Sequence, residues 1–136
     1  MEKFNKFTFG KDAIVEPVDG RTHYWHYSPD ITENADIIMV KVKMPIGGKH
    51  DFHRHPKMNE IIYILKGQAE QWIEDDKKIL SSGDSIYIDP DIVHATFNTG
   101  DEVLEFLAIL SPSEGWEAGT IDEYMNLPYS RYKNKL

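Results

Sequence analysis

Hydrophobic and polar residues alternate with period two along most of the chain, the pattern of half-buried β-strands. Between Asp36 and Met44, the positions Ile38, Val40, Val42 and Met44 are set against Lys41 and Lys43, and Pro45 with Gly47-Gly48 stops the run. Residues 60–66 (EIIYILK) form a β-branched run ended by Gly67, and 68–73 (QAEQWI) lead into a polar turn at 74–77 and a further strand at 78–81. After Gly83-Asp84 come strands at 85–89 and 92–98, a turn at 98–101, and a last long strand at 102–110. Turn signals about 8–12 residues apart predict an all-β sandwich or barrel. The run HYWHY at 23–27 carries the strand pattern into the N-terminal third. Past Ser111-Pro112 the period changes. Thr120 and Glu123 have the spacing of a capping box, which predicts a short helix over 121–127 stopped by Pro128. The basic tail SRYKNKL is expected to be solvated.

Composition narrows the class. The 136 residues, 40% hydrophobic and 12% aromatic, are enough for one domain with a real core, and the whole chain 1–136 is expected to form it. Fifteen basic against 23 acidic residues give a net charge of −8 with histidine neutral, which disfavours nucleic acid and anionic membranes as partners. There is no cysteine, so disulfides, thiolate metal sites and a thiol nucleophile are excluded together. No stretch reaches the 18 apolar residues of a membrane span, and MEKFNKFTFGKD lacks a signal-peptide core, so the expectation is a cytoplasmic protein.

The histidines carry the chemistry. Three fall within six residues, at 50, 53 and 55, with His94 far along the chain and His23 and His26 near its start. Residues i and i+2 of a strand share a face, so His53 and His55 point inward while Arg54 points out. Glu60 follows five residues later, and a hairpin over 55–60 would set its carboxylate opposite the two imidazoles. In the run IVHATFN, His94 shares a face with Ile92, Thr96 and Asn98. Three imidazoles and one carboxylate suit a divalent first-row metal, and on an octahedral ion they leave two positions open.

At these residues the chain resembles the cupins. The first cupin motif, G-x5-H-x-H-x3,4-E-x6-G, is matched throughout by Gly47, His53, His55, Glu60 and Gly67. The second, G-x5-P-x-G-x2-H-x3-N, is matched by Gly83, His94 and Asn98, with the proline displaced by one to Pro90 and Asp91 in place of the glycine. Aspartate tolerates left-handed backbone, so the turn is expected to survive the exchange. The resemblance implies a jelly-roll β-barrel (double-stranded β-helix) with its core at about 36–112, an N-terminal strand arm at 1–35 and an extension at 113–136. It implies metal ligation by His53, His55, Glu60 and His94, with Fe, Mn, Ni, Zn or Cu as the ion, and a homodimer as the assembly.

Other positions are open to two readings. On strand 68–73, Ala69, Gln71 and Ile73 face inward and Glu70 and Trp72 outward. Gln71, polar where a barrel prefers an aliphatic residue, either meets core backbone or greets a polar ligand. His50 either lines the mouth of the pocket or is an exposed loop residue. Outward Trp72, with Tyr24 and Trp25, is a candidate dimer face, and His23 and His26 read as packing or interface residues. The resemblance implies a metal-dependent enzyme on a small polar organic substrate. The three-His-one-Glu set tilts this to a dioxygenase. A Lewis-acid isomerase, lyase or cyclase on a sugar- or keto-acid-like substrate is the alternative, and a non-catalytic small-molecule-binding barrel is the reading from a different class.

Overall fold

The structure, a computed structural model, describes residues 6–32 and 36–132. Eleven strands form within them: β1 (Ile14–Val18), β2 (Arg21–Tyr27), β3 (Ile38–Met44), β4 (Lys49–Arg54), β5 (Asn59–Lys66), β6 (Gln68–Ile73), β7 (Asp76–Ser81), β8 (Ser85–Ile88), β9 (His94–Phe97), β10 (Leu104–Ser111) and β11 (Ile121–Asp122). They make two antiparallel sheets. One has six strands in the order β1-β2-β3-β10-β5-β8, and the other has five in the order β11-β4-β9-β6-β7. This is the jelly-roll arrangement that the resemblance to the cupins implies. No helix among the described residues is long and apolar enough to cross a membrane.

The period-two alternation places the core. Along β3, Ile38, Val40, Val42 and Met44 are buried while the intervening residues are half-exposed, and β10 repeats the pattern with Leu104, Phe106, Ala108 and Leu110. These side chains meet Met58, Ile62, Ile64, Ala69 and Ile88 in one cluster between the sheets. The motif glycines serve the turns. Gly47, Gly67 and Gly83 all have positive φ, and at Gly67 an added Cβ would also sit 2.8 Å from the Val103 carbonyl oxygen. Asp91, standing where the second motif has glycine, takes φ 69°, so the left-handed turn does survive the exchange.

Two expectations are corrected, both through the C-terminal stretch. Residues 121–127 are not a helix. Ile121 and Asp122 pair with Arg54 and His53 as β11, and the short C-terminal helix follows Pro128, at Tyr129–Tyr132. Tertiary partners outbid the capping box: Thr120 Oγ1 lies beside His55, and the Glu123 carboxylate takes the Arg54 guanidinium at 2.8 Å. The second correction concerns Trp72. It does face away from the main core, but it is only 7% exposed, because Tyr132 stacks on it at 5.3 Å. With Phe52, Ala95 and Phe97 it forms a second apolar cluster, capped by Tyr129 and Tyr132. It is therefore no part of a dimer face. Trp25 is half-buried, its ring edge-on to Trp116 and lining the cavity. The end of the basic tail, residues 133–136, lies outside the described residues.

Candidate metal centre

His53, His55, Glu60 and His94 come together as predicted: all four are buried, with one ligand atom from each within 4.8 Å of the others. Their assembly differs from the expected hairpin in one respect. The link 55–58 crosses from the five-stranded to the six-stranded sheet, so Glu60 approaches from the opposite layer, on β5 between Leu110 of β10 and Ile88 of β8. His53 and His94 are direct cross-strand partners on β4 and β9, with ring centroids 4.2 Å apart.

The outer ring nitrogens fix the inner ones. The carbonyl oxygens of Asp51 and Ile92 can only accept, so His53 Nδ1 donates to Asp51 at 2.6 Å and His94 Nδ1 to Ile92 at 3.0 Å. In the neutral ring, each Nε2 is then left as a bare lone pair. For His55 the corresponding Nδ1 partner is the Thr120 hydroxyl at 3.2 Å. On the inner side, His94 Nε2 and His55 Nε2 stand 3.1 and 3.3 Å from the same Glu60 oxygen. Lone pairs and a carboxylate converging in a buried space can hold a cation, and this donor set fits a divalent first-row metal. Burial pushes the Glu60 carboxyl up, but the adjoining His55 and His94 rings outweigh that and hold it well below the usual carboxylate range. Burial, with His50, His94 and His55 beside it, holds the His53 imidazole well below its ordinary value.

His50 does line the cavity, for a reason hidden in the sequence spacing. Residues i and i+3 of a regular strand face opposite sides, but the β4–β9 register shifts between His50 and His53. The extra residue turns both rings inward. They stack at 3.6 Å with 7° between planes. Burial and then the Arg21 charge keep His50 neutral, its pKa well below the ordinary value. Gln71 resolves to the other alternative. Its amide accepts from Thr96 Oγ1 at 2.7 Å and donates to the Trp72 carbonyl at 3.1 Å, which leaves it behind the cavity wall rather than in it.

The cluster sits in a cavity of about 310 Å³. One wall is apolar, formed by Val40, Val42, Ile62, Phe106, Ala108 and Leu110, and Arg21, His23, Trp25, Trp116, Thr120 and Asp122 line the remainder. None of those six stands out as a site residue in the sequence, and His23, read there as packing, is in fact a lining residue. The signal that could have found it is the alternation of β2, whose odd-numbered residues Arg21, His23 and Trp25 all line the cavity. Arg54 points outward as expected and ties Asp91 and Glu123 together, while the Asp91 amide donates to the His55 carbonyl at 2.8 Å. The turn of the second motif thus steadies a residue of the first.

Two facing antiparallel sheets with a buried His3Glu cluster between them define a metal-binding cupin. The chain belongs to the cupin domain family, whose pattern it matches over residues 40–110. Among curated proteins it is similar to an uncharacterized protein of Methanocaldococcus jannaschii, 29% identical over 107 residues that cover 68% of this chain and 86% of that one. It is also similar to an oxalate-binding protein of Thermotoga maritima, 30% identical over 83 residues, 61% of this chain and 69% of that one. Among solved structures, the polyketide cyclase RemF of Streptomyces resistomycificus shares the fold with a TM-score of 0.75 at 19% identity, covering 95% of this chain and 99% of the cyclase.

Proposed function

We propose that this cupin is a metal-dependent enzyme acting on a small polar organic molecule, with His53, His55, Glu60 and His94 holding one divalent transition-metal ion. The observation that supports it is the convergence of four buried donors on one point of a cavity between the sheets. Four ligands leave positions open on an octahedral ion, and a bound ion there supplies a Lewis acid for a substrate oxygen. The protein does the rest. The wall from Val40 to Leu110 is apolar, and the carbonyls of Asp51 and Ile92 keep two Nε2 lone pairs turned inward. His50, flat against His53, lines the cavity where its imidazole can take a proton from a substrate and return it.

That last placement favours isomerase, lyase or cyclase chemistry on a sugar- or keto-acid-like molecule over the dioxygenase reaction, which the same four ligands also serve. The names of the oxalate-binding and polyketide-cyclase relatives are in keeping with a small oxygenated ligand. The test is turnover of keto acids, keto sugars and uronates by protein loaded in turn with Fe, Mn, Ni, Zn and Cu. His50→Gln should keep its metal while losing about 10²- to 10⁴-fold in rate. Oxygen uptake by the iron, manganese or copper form, untouched by H50Q, would restore the dioxygenase reading. Tight binding with no conversion would leave a binding module.

The assembly proposed is a homodimer. Met39, Ile109, Ile61 and Tyr87 are cross-strand neighbours on the outer face of the six-stranded sheet, and Ile61 and Tyr87 are 40% and 54% exposed. Sedimentation of Ile61→Lys as a monomer beside a dimeric parent is the expected result; a monomeric parent refutes it.

A further inference from the structure

We infer that Arg21 anchors an anion subsite in the wall of the metal cavity, and that the substrate is a small organic acid held there by a single carboxylate. The inference rests on the metal-enzyme reading above and names its substrate class.

Arg21 opens β2, half-buried, and lines the same cavity as the His3Glu cluster. Of its five N–H donors, Nε gives one to His23 Nε2 at 3.2 Å and Nη1 gives one to the Asp19 carbonyl at 3.0 Å. Among the described residues no carboxylate oxygen comes within 4 Å of the guanidinium. A partly desolvated cation without an ion-pair partner is costly, and an anion entering the cavity removes that cost. The desolvation is visible in its pKa, which burial lowers against the opposing pull of Asp19, Glu16 and Asp122.

The guanidinium is also held in position. Because His23 Nε2 accepts from Arg21, its Nδ1 carries the proton and donates to Glu16 Oε1 at 2.9 Å. The same Glu16 oxygen takes the Trp25 indole N–H at 3.0 Å. The β1–β2 hairpin thus contributes a fixed chain, Trp25–Glu16–His23–Arg21, whose last member keeps donors in reserve. Such an array is wasted on a surface arginine, and it suits the planar two-oxygen geometry of a carboxylate.

Charge selects the monoanion. Arg21 is the one lysine or arginine among the residues lining the cavity, and Asp122 and Glu60 line it too. With a divalent ion on the His3Glu cluster, its two positive charges and that of Arg21 stand against one negative charge each from Glu60 and Asp122, which leaves one net positive charge that a phosphate dianion would overshoot. A carboxylate brings a single negative charge, and leaves a neighbouring hydroxyl or carbonyl oxygen of the same molecule for the metal.

The test is calorimetric titration of the manganese-loaded full chain with three acids and their neutral amides: glycolate and glycolamide, lactate and lactamide, pyruvate and pyruvamide, with inorganic phosphate as a further probe. Metal content is measured on every sample. We expect at least one acid to bind about 10- to 100-fold tighter than its amide, and Arg21→Met to erase that preference while keeping both its metal and its affinity for the amide. R21K, which keeps the charge without the planar fork, should fall between the two and guards against a folding defect in R21M. Equal binding of acid and amide, an unchanged preference in R21M, or binding of none of the three acids overturns the subsite. Phosphate binding tighter than every acid overturns the carboxylate assignment. If the chain takes up no ion, the metal reading fails on that measurement alone. The same titrations on metal-free protein then still decide Arg21, loss of acid preference in R21M supporting it and an unchanged preference overturning it.

Discussion

Removing the ion should cost this protein a measurable part of its thermal stability, and the size of the effect follows from the site. Glu60, 7% exposed, faces the Nε2 atoms of His94 and His55 at 3.1 and 3.3 Å, and a divalent ion satisfies all of them at once. An ion that binds only the folded chain contributes RT ln(1 + [L]/Kd), about 2.7 kcal/mol at a hundredfold excess over Kd. Unfolding 136 residues carries an entropy of about 0.29 kcal/mol/K, at about 2.1 cal/mol/K per residue. The expected rise in Tm is therefore about 9 °C. Glu60→Gln leaves the ion to three neutral imidazoles. If affinity falls a hundredfold, the same metal concentration equals the new Kd, and the contribution shrinks to RT ln 2, about 0.4 kcal/mol or 1–2 °C. The assay is differential scanning calorimetry of chelator-treated, tag-free protein with and without each of Fe(II), Mn(II), Co(II), Ni(II), Zn(II) and Cu(II), for parent and E60Q. Comparing metal-induced shifts within each protein cancels what E60Q does to the fold. No shift in the parent with any ion, or a full shift in E60Q, would refute the reasoning.

Three further outcomes are expected. Gln71→Leu should cost about 1–3 kcal/mol in urea unfolding, because it strands the buried Thr96 hydroxyl, while leaving ligand affinity unchanged; an altered affinity would put Gln71 back in the cavity. Thr120→Val removes the Nδ1 partner of His55 and should weaken metal affinity about 10- to 100-fold with the melt of the metal-free protein little changed, which competition with a coloured chelator reads directly. Burial lowers the His23 pKa more than Glu16 raises it, so below pH about 6.5 the unfolded chain binds a proton that the folded chain refuses. This residue's contribution to stability is therefore present above that pH and is lost as the pH falls through the window below it, and His23→Asn should flatten the pH dependence of metal-free stability there; an unaltered slope argues against it.

How much was legible in the sequence varies by residue. His53, His55, Glu60 and His94 declare themselves through the motif, because a turn glycine, a strand period of two and a fixed spacing are all local. The alternation of β3 and β10 is equally local, and it names the core residues from Ile38 to Leu110 without any knowledge of their partners. The inward sense of Gln71 and the outward sense of Trp72 follow from parity alone. Parity also holds on β2, where Arg21, His23 and Trp25 share one side, but nothing in that run says that the side belongs to the cavity.

What lies across the chain was decided only by the tertiary structure. Trp72 is outward and yet buried, because Tyr129 and Tyr132, some sixty residues on, cover it. Thr120 and Glu123 carry a helix signal worth about 1 kcal/mol, and they yield to His55, Arg54 and a strand pairing that local sequence cannot announce. His50 faces the metal cluster because one extra residue in β4 is absorbed by its neighbour β9, and a bulge is a property of two strands together. The sequence by itself determines the run of half-buried strands through its short-range periodicity, and it names the four donors through the motif spacing that carries the cupin resemblance. The shape and charge of the space around those donors, from Arg21 on the first hairpin to Asp122 on the last strand, arise where distant segments meet, and only folding brings them there.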